Sequence, residues 1–199
     1  MTSILGLPAH PLFAHLPIVL IPLGLLGAVA MCWPALRARI GWVTVGLVVV
    51  AGIATQLAIS AGEALEDYVR ETRLVEAHTE MGESIRPWVL AMFLALLVVM
   101  VVDRIAARRG PTASGAAGAP GAGPVAGPVA DARARQLRIV GTVALVLGLV
   151  FSVGATVTVI RIGHSGAKAV WNDTQQRIDR GVEAPGGSGE RGERGDRDD

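Results

Sequence analysis

The chain has 199 residues, of which 51% are hydrophobic and only 18% charged, with a mean hydropathy of +0.49. That is too apolar for an ordinary soluble domain and points to a protein embedded in a membrane. A formal net charge of +1 argues against a nucleic-acid partner, which needs a basic surface to neutralise phosphates, and a single cysteine, Cys32, excludes an internal disulfide and reads as a small buried hydrophobe.

Four apolar runs organise the chain, with spans expected over residues 12–33, 40–61, 83–102 and 139–160. At ~1.5 Å rise per residue, about 20 residues cross a ~30 Å hydrocarbon layer. The first run is too long for a cleavable signal, lacks a basic lead and contains Pro17 and Pro22, so it is expected to be retained as a span. Its helix is expected to begin at Pro11, whose missing N–H would lack a helical partner anyway. Pro17 and Pro22 each remove an internal hydrogen bond and free the carbonyls of Phe13 and Ile18. Gly24 and Ala28 form a small-residue stripe for close helix approach, and Trp33 sits at interfacial depth. In the second span Gly46, Ala51, Gly52 and Thr55 are the candidate close-packing residues.

From Gly62 to Arg86 the chain turns acidic, with seven Asp or Glu against three Arg. The segment reads as a solvated helix or pair of helical turns with an apolar side able to rest on the bundle rim. The third span is short in apolar residues and is expected to continue from this segment through Pro87 and Trp88. Residues 110–130, nearly all Gly, Ala, Pro, Ser and Thr, read as a disordered linker. Arg133, Arg135 and Arg138 announce the fourth span, whose small face is Gly141, Gly148, Ser152 and Thr156 and whose helix is expected to end near Gly163. Residues 172–199 read as a polar, largely disordered tail. The expected fold is therefore all-α, an integral membrane four-helix bundle over residues 1–171 interrupted by a disordered linker.

Loops one and three hold the denser Lys and Arg clusters near span ends, which places them in the cytoplasm of a cell with an inner (plasma) membrane and the N- and C-termini outside it. With four spans, the N-terminus, loop two and the segment after span four share one side whatever the orientation. All four histidines of the chain, His10, His15, His78 and His164, consequently fall at one end. Imidazole is the commonest protein ligand for transition metals and an axial ligand of haem iron, and bundles build such sites from different helices. His15 on the first helix, with His78 or His164 opposite, is the expected axial pair. His10 is five residues earlier, roughly 140° around an ideal helix, and is expected in the lead-in before Pro11. A mononuclear metal site on His15, His78 and His164 is the second use of the set, with Glu76, Glu80 or Glu83 as an oxygen ligand. Arg86 and Arg161 lie at the histidine level and could hold haem propionates, or could anchor helices at lipid phosphates. Two further readings stay open: histidines that only hydrogen-bond helix ends, and a proton-handling role near the ordinary histidine pKa.

The turn Gly163-His164-Ser165-Gly166 lacks phosphate-loop spacing, so no nucleotide partner is expected. No Ser-His-Asp arrangement and no acid pair within a span is found, and the reading leans away from an enzyme.

The opening Gly6-Leu7-Pro8-Ala9-His10-Pro11-Leu12-Phe13-Ala14-His15-Leu16-Pro17, together with Ala77-His78 and His164-Ser165-Gly166, resembles the predicted bacterial membrane proteins grouped as domain of unknown function 2231, over approximately residues 6–171. The resemblance implies a four-span membrane domain of unassigned activity and carries over His10, His15, His78 and His164. The long linker between spans three and four departs from a compact form but lies at the end opposite the histidines. The expectation is a membrane protein holding haem b or a transition metal at its extracytoplasmic rim, serving electron transfer or cofactor handling with a redox protein as partner. The alternative is a structural or partner-binding membrane subunit without cofactor.

Overall fold

The computed structural model describes residues 3–4, 7–66, 68–69, 72–108 and 128–181. A two-residue antiparallel ribbon, β1 (Ser3–Ile4) with β2 (Leu7–Pro8), pairs Ser3 with Pro8 and Ile4 with Leu7. Helices α1 (Ala9–Ala30), α2 (Pro34–Glu66), α3 (Arg73–Glu83), α4 (Ile85–Arg108) and α5 (Pro128–Asp179) follow. All but the short α3 are long and apolar enough to cross a membrane, so the protein is an all-α, four-span membrane bundle.

α1 packs on α2 and α5, and α4 packs on the same two helices. The ring order is therefore α1, α2, α4, α5, with α1 facing α4 across a core that includes Ile21, Met31, Val48, Met92, Leu96 and Val99. Most of the apolar surface is not in that core. Val43 is 70% exposed, Leu26 64% and Ile160 62%, an arrangement that suits hydrocarbon rather than water.

Without a hydrophobic drive between helices in lipid, association rests on close packing at small residues. Gly24 and Ala28 fill that role on α1: Ala28 is fully buried, and a Cβ on Gly24 would come within 2.7 Å of Met92. One position on α1 was not singled out beforehand: a Cβ on Gly27 would lie 2.6 Å from Thr44. Gly46, in contrast, has nothing within 4 Å of a notional Cβ and is no contact residue. Thr44, Thr55 and Ser152 are buried but donate to carbonyls four residues back in their own helices, which satisfies them without water.

Several boundaries differ from expectation. α1 opens at Ala9 rather than Pro11, which still leaves Pro11 in the first turn, where N–H groups have no intrahelical partner. The third span does not run on from the acidic segment. α3 stops at Ser84, whose backbone N–H and hydroxyl both donate to the Met81 carbonyl, and α4 starts at Ile85. Pro87 explains the break: in a continuous helix its ring would meet the carbonyl of Glu83. α5 is far longer than expected, and at ~1.5 Å per residue it reaches about 78 Å, well beyond a ~30 Å hydrocarbon layer. It runs through Gly163 and Gly166 because the cost of glycine in a helix, about 1 kcal/mol, is outweighed where α3 packs against it. The expected linker lies outside the described residues apart from 128–130, which open α5. The expected tail is helical to Asp179, and residues 182–199 lie outside the described residues. Cys32 sits exposed in the turn between α1 and α2 rather than buried.

Candidate functional site

At one end of the bundle α3 packs on α5, touches α2 and α4, and brings His78 up to His10 of α1. A cavity of about 390 Å³ opens beneath it, within the range of small-molecule sites. Its wall is mainly apolar, with His10, His15 and His78 as its imidazoles and Glu63, Glu66 and Glu83 as its acids.

His10 and His78 come from helices remote in sequence, yet their ring centroids are 6.1 Å apart with planes at 85°. Each is anchored from behind. His10 Nδ1–H donates to the Ala58 carbonyl on α2 at 2.9 Å. The ring reaches that backbone because position 62 is glycine, where a Cβ would stand 3.0 Å from Nδ1. His78 Nδ1 is 2.9 Å from Ser165 Oγ. The Ser165 hydroxyl donates its own proton to the Ile162 carbonyl at 2.9 Å, so its oxygen accepts and His78 is the donor. Gly166, beside it, leaves room for the ring, since a Cβ there would lie 3.0 Å from Cε1. With both Nδ1 atoms acting as donors, each neutral imidazole carries its lone pair on Nε2. Neither Nε2 has a hydrogen-bond partner among the described residues, and no side-chain polar atom among them is buried without one. Neither Nε2 is therefore fully buried, and that of His78 lies 3.4 Å from where a Cβ on Gly166 would stand.

α3 holds His78 in place through ordinary helix chemistry. Thr72 caps its start by accepting from the Val75 N–H, and its apolar side packs on α5. Burial lowers the pKa of His78 below the usual histidine value. The neighbouring His10 adds to this, and the Ile162 carbonyl opposes it. The neutral, ligand-competent form is thus favoured.

The expected pairing of His15 with His78 or His164 is not the one the fold makes. Because α1 begins two residues early, His10 is helical, and the roughly 140° between positions 10 and 15 lets only one of them face α2 and α3. His15 is exposed at the cavity margin with Nδ1 against the Pro11 carbonyl of its own helix. His164 is exposed and does not line the cavity. Among the described residues no group of three or more His, Cys, Asp or Glu is gathered as a metal site, so the set His15, His78 and His164 is not assembled. Arg86 is engaged by Glu63 at 3.4 Å and Glu83 at 3.8 Å, exposed pairs of the kind that contribute under ~1 kcal/mol. Arg161 is exposed and away from the cavity lining. Ser165 and the two glycines that admit the rings were not foreseen as site residues. The only sequence signal for them was the small-residue run at 163–166 and Gly62 at the start of the acidic segment.

The profile of the family described as predicted membrane protein (DUF2231) matches residues 6–176. No curated protein and no solved structure matches the chain.

Proposed function

Because this chain belongs to the DUF2231 family of predicted membrane proteins, which names no activity, we propose a function from the cavity itself: His10 and His78 ligate a redox-active haem or transition-metal centre, and the protein serves electron transfer or cofactor handling. The observation that carries this reading is the pair of imidazoles 6.1 Å apart whose Nδ1 atoms are both tied down. Metal-ligating histidines characteristically donate the other ring N–H to a carbonyl or similar acceptor, which fixes the tautomer and raises ligand basicity.

The proposed setting is the plasma membrane with the cavity end outside. The loops at the opposite end carry Arg37, Arg39, Arg104, Arg108, Arg133, Arg135 and Arg138, against Arg70, Arg73 and Arg86 in the loop at the cavity end, an imbalance between loops of the kind that favours the cytoplasm for the richer side. Residues 1–171 then act as one transmembrane unit, with a redox protein delivering or removing single electrons at the outer face. A specific observation also supports the second reading, a structural or partner-binding subunit: the same hydrogen bonds tie α1 to α2 and α3 to α5.

One experiment separates the two. Protein purified in detergent is scanned in the visible range, oxidised and reduced, and analysed for metals, as wild type and as His10→Ala and His78→Ala. The ligand reading expects a stoichiometric centre lost in both variants. A colourless, metal-free wild type whose variants lose only thermal stability would overturn it and leave the structural role.

A further inference from the structure

We infer that the cavity is a site for a single-chain lipid with a neutral hydroxyl head, its tail lying in a slot between α1, α2 and α5 and its hydroxyl donating to the acceptors at the rim. The inference goes beyond the metal reading and does not rest on it, because the slot and the Glu66 carboxylate at its rim are the same with or without a metal on the imidazoles. Shape, donor balance and access lead there.

The cavity is long and narrow. Its lining runs from Thr55 to Glu66 on α2 and from Val159 to Val170 on α5, and at ~1.5 Å per residue either stretch is about 16 Å long. A volume of about 390 Å³ spread over about 16 Å leaves a mean cross-section of about 24 Å². That is the section of one extended hydrocarbon chain, while a planar macrocycle or a two-chain lipid needs far more. The deeper part of the wall is apolar, with Ile18, Ile59, Val159 and Ile162, and a chain buries its length against such a wall.

The donor balance selects the head. The polar side chains of the wall are His10, His15, His78, Thr55 and Thr79 with three glutamates. With the imidazoles neutral, every N–H and O–H among them is already given away. Thr55 and Thr79 donate to carbonyls of their own helices, His10 and His15 donate through Nδ1 to the Ala58 and Pro11 carbonyls, and His78 donates to Ser165 Oγ. Only acceptors remain, the Nε2 lone pairs and the carboxylate oxygens. No lysine or arginine is in the wall among the described residues, and Arg86 nearby is held by Glu63 and Glu83. An anionic head would face carboxylates, and a head with acceptors alone, such as a quinone, would set lone pair against lone pair. A hydroxyl supplies the missing donor. One hydroxyl needs one acceptor, so the two Nε2 atoms need not converge.

Access is from the bilayer. On α1, Ile18 both lines the slot and is 43% exposed. Its neighbour across the α1–α5 seam is Gly163, where a Cβ would stand 4.0 Å from Ile18 Cδ1, so the slot meets lipid beside a residue with no side chain. A chain dissolved in the bilayer enters there without crossing the acidic rim.

The test uses a long-chain primary alcohol with a photoactivatable diazirine in mid-chain, added to the full-length protein in phosphatidylcholine nanodiscs, since a detergent would compete with its own single chain. Labelled peptides are mapped by mass spectrometry, and an alkyl hydroquinone, its quinone, the unlabelled alcohol, a fatty acid and a long-chain amine are the competitors. The expected result is saturable labelling around Ile59 and Val159–Gly163. The hydroquinone and the alcohol displace the probe, the quinone does so about tenfold or more weakly, and the fatty acid and amine do not. Displacement by either hydroxyl compound upholds the inference, and the stronger of the two identifies the head as phenolic or aliphatic. Gly163→Leu, whose Cβ has room, places a side chain in the slot and abolishes the labelling.

Labelling that does not saturate and spreads over outward residues such as Val43 and Ile160 overturns the site as ordinary lipid contact. A quinone that competes as well as its hydroquinone overturns the donor argument, and a fatty acid or amine that competes better overturns the neutral head. Undiminished labelling of folded Gly163→Leu overturns the slot. The wild-type competition series decides even if that variant fails to fold.

Discussion

Replacing Gly62 by alanine sets two calculable effects against each other. The residue lies in the last turns of α2, where alanine is favoured over glycine by about 1 kcal/mol through backbone entropy. The new methyl, however, would stand 3.0 Å from His10 Nδ1 and 3.1 Å from Cε1, closer than ordinary van der Waals contact, and the imidazole must give by a few tenths of an ångström. That retreat stretches the 2.9 Å bond to the Ala58 carbonyl and forfeits most of an interaction worth about 0.5–1.5 kcal/mol. The two terms nearly cancel, so Gly62→Ala is expected to unfold at almost the wild-type temperature while losing affinity for whatever His10 binds. Gly46→Ala on the same helix, where nothing lies within 4 Å and the position does not line the cavity, is the control and should be neutral or stabilised with binding intact. Thermal unfolding in detergent, run beside a haem titration, reads both quantities. Full stabilisation of Gly62→Ala with undiminished binding would show that His10 is not held against α2, and the site geometry argued above would fail.

Other consequences follow from the same contacts. Ser165→Ala removes the oxygen that accepts from His78 and is expected to cost about 1 kcal/mol of stability and about 10–100-fold in ligand affinity; equal affinity in a binding isotherm would show that the tautomer is not set by Ser165. For the ligand-free protein, the lowered pKa of His78 means that the unfolded chain binds more protons than the folded one between the folded pKa and about 6.5. Stability is then full above that window and declines as pH falls through it. Unfolding at pH 7.5 and 5.5 should therefore differ more in wild type than in His78→Gln, and an equal difference would refute the assignment. In the core, a Cβ on Gly154 would run into the ring of Trp88, and Gly154→Val is expected to destabilise by about 1–3 kcal/mol, checked by the detergent melting temperature against Ala155→Gly as a cavity-forming comparison.

Much of the fold was legible because lipid imposes a simple rule: a chain that crosses must satisfy its own backbone, and only long apolar helices do so at this size. Composition and run length therefore sufficed for four spans, and even topology placed the four histidines at one end. The small-residue faces were legible only in part. Gly24, Ala28 and Ser152 do pack, but Gly46 faces outward although its sequence neighbourhood looks the same, because the direction a glycine faces depends on helix rotation about its axis. Pro87 was visible, yet whether it kinks a helix or ends one depended on Ser84 and on α3 finding α5 to lie against.

The sequence by itself determined the class of the protein, the number of spans, the acidic cap and the end of the bundle where chemistry is concentrated, since each follows from local composition measured against the thickness of a bilayer. The tertiary structure decided which histidines meet. That choice turned on a helix start two residues earlier than expected, which makes His10 helical on the face toward α2 while His15 stays at the exposed margin, and on Gly62 and Gly166 standing where a side chain would have kept the rings away. It also turned on Ser165, a hydroxyl 87 residues from His78 that fixes which nitrogen keeps its lone pair. Contacts between residues that far apart are set by how helices pack, and no local pattern encodes them.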